Sequence, residues 1–141
     1  MLGDLLDGAW QSIVFGIVGV ALMAAGFLLV DVLTPGKLRE LIWVRRNGNA
    51  ALLLAANQLG IAGIVFTAVL TSYSSFTKGL ASTVVFGLVG LLVMALAFLV
   101  LDLLTPGRLG DVIAAEEPHP AAKISAATHF GAALIVCACI A

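Results

Sequence analysis

The chain has 141 residues, 62% hydrophobic and 11% charged, with mean hydropathy +1.16 and a formal net charge of −1. Soluble domains carry about 25% charged residues, so composition excludes an ordinary soluble domain, and no basic stripe points to nucleic acid. Cys137 and Cys139 stand two apart, on nearly opposite sides of a helix, with no metal or redox spacing; neither a metal nor a cofactor is expected.

The chain begins with Asp4 and Asp7 where a secretory signal needs positive charge, so the first apolar run reads as a membrane span. Four such runs follow in order, at about 10–33, 49–71, 83–104 and 121–141. Each is long enough for the roughly 30 Å hydrocarbon core at about 1.5 Å per residue. A backbone in lipid must satisfy its own polar groups, so these are helices; the runs do not alternate as barrel strands would. Lys123, Ser125, Thr128 and His129 dilute the fourth run, and Lys123 sits near enough to its edge to snorkel.

The first and third runs end in the same words. Residues 31–38 read D-V-L-T-P-G-K-L and residues 102–109 read D-L-L-T-P-G-R-L, an offset of 71. More than half of positions 14–42 match their partners at 85–113 without a gap, so the chain reads as two copies of one unit. The expected fold is all-α integral membrane, with four transmembrane helices as two parallel two-helix repeats, residues 1–71 and 83–141, around a pseudo-two-fold axis along the membrane normal. Residues 72–82 are the expected external loop between them.

Lys37, Arg39, Arg45, Arg46, Arg108 and Lys123 lie in or beside the loops that follow the two T-P-G motifs; only Lys78 lies on the other side. The positive-inside rule makes both T-P-G loops cytoplasmic and both termini external. Trp10 and Tyr73 then mark the outer interface and Trp43 the inner one. The first loop alternates Leu38, Leu41, Ile42 and Trp43 with basic residues, which suits a short interfacial helix. Thr34 is its expected N-cap, with Pro35 as its first residue, and Asn49 is the expected cap of the second span. Glu116 and Glu117 replace Arg45 and Arg46 in the second loop, so the two loops either stay separately solvated or pair through these residues, a contact worth under about 1 kcal/mol.

Asp31 and Asp102 are the leading functional candidates, since an acid inside a span is costly. Two readings stand: a pair facing across the pseudo-two-fold to bind or pass a cation, or interfacial acids that either cap the turns formed by Thr34, Pro35 and Gly36 and by Thr105, Pro106 and Gly107 or pair with a nearby basic residue. Asn57 and Gln58, with Thr128 and His129 at the equivalent places, are packing glue or a polar path above the acids. His119, between two prolines, reads as a loop residue. Gly16/Gly19, Gly87/Gly90, Ala56/Gly60 and Ala127/Gly131 let helices approach closely, in a tight bundle or a homo-oligomer. No nucleophile–base pair or phosphate loop is present, so no enzyme is expected.

The doubled Asp–Thr-Pro-Gly motif, each followed by a loop and a second apolar helix, resembles the domain-of-unknown-function 350 family of small bacterial inner-membrane proteins. The resemblance covers nearly the whole chain and implies four transmembrane helices with no established activity. It also implies a context of envelope-stress modules and proteins resembling polyamine or glutathionylspermidine enzymes. The expected role is a membrane subunit or scaffold in the lipid bilayer that docks a cytoplasmic protein partner or anionic lipid through Lys37, Arg39, Arg45 and Arg46. The alternative is a small oligomeric channel or transporter for a proton or polyamine, using Asp31 and Asp102.

Overall fold

A computed structural model describes residues 1–72 and 75–141; Tyr73, expected at an interface, lies outside the described residues. The described chain is helical, in the order α1 (Leu2–Leu33), α2 (Leu38–Trp43), α3 (Gly48–Leu70), α4 (Phe76–Leu104), α5 (Leu109–Ala114) and α6 (Pro120–Ile140). Among these, α1, α3, α4 and α6 are long and apolar enough to cross a membrane.

The bounds of α3 and α6 fall within a residue of those expected. The other two spans begin earlier, at Leu2 rather than 10 and at Phe76 rather than 83. Charge did not stop them. Asp4 lies in the first turn of α1, beside the N-terminal ammonium at 2.8 Å, where an acid favours a helix start. The first turn of α4 is held by packing: Phe76 meets Phe15 of α1 edge-on at 5.5 Å, and Gly79 lies directly against the Ser72 side chain.

Both helices stop at the T-P-G stretch for one reason. Proline lacks the N–H to continue, and it pushes the preceding Thr34 and Thr105 to extended backbone, at ψ 129 in each. Gly36 and Gly107 then turn the chain at φ 90 and 95, where any side chain is strained. After four intervening residues, following α1 and again following α4, a six-residue helix begins.

α3 packs against all three other spans, most extensively α6. Their starts lie together, since Asn49 accepts from the His119 N–H at 3.1 Å. Further along, a Cβ on Gly60 would lie 2.7 Å from Ala133 Cβ, so α3 and α6 run side by side in the same direction. α1 packs on α3 and α4, and α4 also packs on α6. Gly87 receives Leu22 and Gly90 receives Ile64, which brings α4 close to α1 and α3. Two apolar clusters result. One, around Val30, Leu53, Phe98 and Ile113, includes the buried faces of α2 and α5; the other, around Leu22, Ile61, Ile64, Met94 and Val136, fills the opposite half.

Candidate functional site

The two acids do the same local job. Asp31 Oδ1 accepts the Leu38 N–H at 2.6 Å, and Asp102 Oδ1 accepts the Leu109 N–H at 2.6 Å. Each carboxylate thus reaches seven residues ahead, across the T-P-G turn, to the first residue of the short helix that follows. A charged acceptor on an otherwise unpaired helix N–H is a strong form of capping. This corrects the expectation for Thr34. It is the C-cap of α1 and lies almost fully buried, with Oγ1 unpartnered, while Lys37 occupies the N-cap position of α2. Pro35 and Gly36 lie in the turn, not in the helix. Thr105 differs from Thr34 in donating its hydroxyl to the Leu101 carbonyl at 2.7 Å. Pro106 and Gly107 repeat the turn.

The caps hold α2 and α5 on the bundle end by buried aliphatic side chains: Leu38 and Leu41 from α2, Leu109 and Ile113 from α5. Both short helices lie at the same end. Gly110 of α5 fits against the Pro35 ring and the Leu33 carbonyl, where a Cβ would come within 2.7 and 3.2 Å. Asp102, Arg108, Asp111 and Pro35 line a 230 Å³ cavity beside that contact; Asp31 is not among its lining residues.

Two asparagines lock this end. Asn47, not Asn49, caps α3, accepting the Ala50 N–H at 2.9 Å. Its amide donates to the Ala114 and Ala115 carbonyls at 3.1 and 2.9 Å. Asn49, 5% exposed, donates to the Ala115 and Glu117 carbonyls at 3.2 and 2.8 Å while accepting from His119. His119 is more than a loop residue: its Nδ1 accepts the Ala121 N–H and caps α6. The N-x-N spacing was visible in sequence, but nothing local could reveal its partners nearly seventy residues away.

Between the two apolar clusters lies a polar layer. Asn57, Ser125 and His129 are each 0% exposed. Asn57 stands three residues before Gly60 and His129 four before Ala133, so the Gly60–Ala133 contact puts them within about 2 Å of one level. His129 Nδ1 lies 3.1 Å from the Ser125 carbonyl, which only accepts, so this nitrogen carries a proton. Phe98 meets the ring edge-on at 5.9 Å. His129 Nε2, Ser125 Oγ and both polar atoms of Asn57 have no partner among the described residues. Gln58 instead donates to the Met23 carbonyl on α1 at 3.1 Å. Thr128 turns its hydroxyl back to the Ile124 carbonyl and is only half-buried. Ser125, one turn before His129, holds the interior place; the four-residue spacing was the available signal.

Lys37, Arg39, Arg45 and Arg46 are all exposed on or beside α2. Arg45 pairs with Glu40 at 3.1 Å, half-exposed on both sides and worth at most about 1 kcal/mol. Of the two readings for these loops, the pairing of Arg45 and Arg46 with Glu116 and Glu117 does not form. Glu40 lies five residues from Arg45 and captures it, and Arg46, at φ 53, turns the chain away toward α3.

Four apolar spans with two capped corners match a known pattern. The family model "Domain of Unknown Function (DUF350)" matches residues 4–140. The chain belongs to this family. Among similar proteins, a "UPF0719 transmembrane protein" of Mycolicibacterium paratuberculosis is 36% identical over 119 residues, covering 84% of this chain and 79% of the relative. UPF0719 transmembrane proteins of Mycobacterium bovis and Mycobacterium tuberculosis are each 32% identical over 139 residues, covering 99% of this chain and 91% of theirs. No solved structure matches. The DUF350 chain is therefore a multi-pass membrane protein of a family without an assigned activity.

Proposed function

We propose that this protein is an inner-membrane docking subunit whose cytoplasmic end presents α2 and α5 to a soluble partner with an acidic surface. The observation that carries this is the use of the acids. Asp31 and Asp102 each spend an oxygen on fastening a short helix to the bundle end. That fastening holds α2 in place, with Arg45 and Arg46 exposed just after it, and α5 with Glu116 and Glu117 exposed after it. In this reading the two halves are parallel repeats about an axis between α3 and α6. Its support is the 71-residue offset that relates the ends of α1 and α4 (Leu33, Leu104) and the limits of α2 and α5. The T-P-G loops face the cytoplasm because six of seven basic residues lie at that end.

The test places a photo-crosslinking residue at Val44, 74% exposed, in living cells. A discrete protein adduct is expected, lost in Arg45→Glu with Arg46→Glu. Adducts only to lipid or to the chain itself, or an adduct indifferent to the charge reversal, would overturn the reading.

A second reading, a small oligomeric cation channel, draws on one observation: the unpartnered Asn57, Ser125 and His129 atoms at mid-span. It expects purified protein in liposomes to conduct a cation and Asp31→Asn with Asp102→Asn to abolish that flux. Absence of flux from the unaltered protein removes it.

A further inference from the structure

We infer that the groove between α1 and α2 binds the headgroup of an anionic phospholipid. The groove has a volume of 600 Å³ and is lined by Phe27, Lys37, Arg39, Glu40, Trp43 and Val44. Its chemistry changes from one side to the other. Phe27 belongs to the span α1, one turn before Asp31, and Trp43 lies 6.3 Å from it, giving an aromatic wall. Trp43 and Val44 are 64% and 74% exposed although both are strongly apolar. Lys37 and Arg39 belong to the same lining, exposed and in no ion pair among the described residues.

Glu40 is the only acid on the wall, and its Oε1 is held by Arg45 at 3.1 Å. Its charge is thus opposed from outside the groove, which leaves the lining net positive. An ammonium and a guanidinium beside an aromatic wall at the end of a span fit a phosphate whose acyl chains run down into the bilayer. A free inorganic phosphate would use the cations and leave the aromatic wall without a role.

The equivalent place in the second half acts as an internal contrast. Gly110 stands for Arg39 and Ala114 for Trp43, Asp111 replaces Glu40, and Pro35 packs down on Gly110. The cavity left there is 230 Å³ and carries one cation, Arg108, against two carboxylates. One anionic lipid per chain is the consequence. The inference rests on placing α2 at the membrane boundary, as in the docking reading, and needs no protein partner.

The test uses the full chain with Trp10→Phe, leaving Trp43 as the single tryptophan, reconstituted in nanodiscs. Brominated phosphatidylglycerol, titrated into phosphatidylcholine, is expected to quench Trp43 saturably at low mole fraction. Equally brominated phosphatidylcholine is expected to quench only in proportion to its amount. Lys37→Gln and Arg39→Gln should each weaken the saturable phase about fivefold. Both side chains are exposed, so a helical circular dichroism spectrum and a single gel-filtration peak confirm that the variants fold. Millimolar inorganic phosphate should not compete. Equal quenching by the two lipids, unchanged affinity in folded Lys37→Gln and Arg39→Gln variants, or full competition by phosphate would overturn the inference. Because no cytoplasmic protein is present, failure here leaves the docking reading standing, and loss of the Val44 protein adduct leaves lipid binding standing.

Discussion

An acid near the end of a membrane span invites an ionic role, but the hydrogen bonds at Asp31 and Asp102 give each carboxylate a structural use first. Both Oδ1 atoms sit 2.6 Å from a helix-start N–H seven residues on. A cap needs an acceptor, whereas an ion site needs charge, and the two uses separate by substitution. Asp31→Ala is expected to cost about 1–2 kcal/mol in equilibrium unfolding from mixed micelles. Asp31→Asn retains an acceptor and should cost well under half of that. Equal losses in Ala and Asn would reject capping as the main use of the carboxylate. The acids themselves were plain in the sequence. Their hydrogen-bond partners were not, because a seven-residue reach across a turn has no local signature, and Thr34 beside Pro35 imitates an ordinary N-cap. Asn49 misled in the same way: it looks like a cap, but its amide is spent on the Ala115 and Glu117 carbonyls while Asn47 caps the helix.

At the scale of elements, the four spans were legible because an apolar run in lipid has few alternatives to a helix. Their outer ends were less so. Lys78 and the early aspartates look like boundaries, yet a helix passes through them when packing, such as Phe15 on Phe76, holds its first turn. The small-residue pattern was also visible in both halves, but its use is unequal. Gly60 meets Ala133 at a projected 2.7 Å and Met94 at 3.0 Å, whereas its counterpart Gly131 has nothing within 4 Å. Gly60→Ala should therefore force α3 from α6 and α4 and destabilise the bundle by about 1–3 kcal/mol. Gly131→Ala should leave stability unchanged or slightly raised, since alanine is the better helix residue. Thermal unfolding of the two variants in one detergent checks this; equal effects would mean that the α3–α6 seam differs from the one described.

For the whole molecule, the doubled sequence points to symmetry, while the contacts between halves distinguish them. Asn47 and Asn49 have Pro118 and Pro120 as counterparts, which carry no amide to return the bonds. The first half therefore grips the second half's loop with five side-chain bonds of 3.2 Å or less, and nothing in either copy alone predicts this. One consequence for topology survives the asymmetry. Pro35 packs on Gly110, and Asn49 bonds at the start of α6, so both T-P-G corners must lie on one side of the membrane. The basic residues decide which side, and the expectation is cytoplasmic. Single cysteines in a Cys137→Ser, Cys139→Ser background provide the measurement. Gly8→Cys, which meets nothing within 4 Å, lies near the free end of α1, and Glu116→Cys is exposed after α5. A membrane-impermeant maleimide should label Gly8→Cys in intact spheroplasts and Glu116→Cys only after permeabilisation. The reverse pattern would place α2 and α5 outside and remove the cytoplasmic docking surface. Labelling of both sites without permeabilisation would contradict the bundle itself, because α1 and the spans it packs on separate these two positions by the thickness of the bilayer.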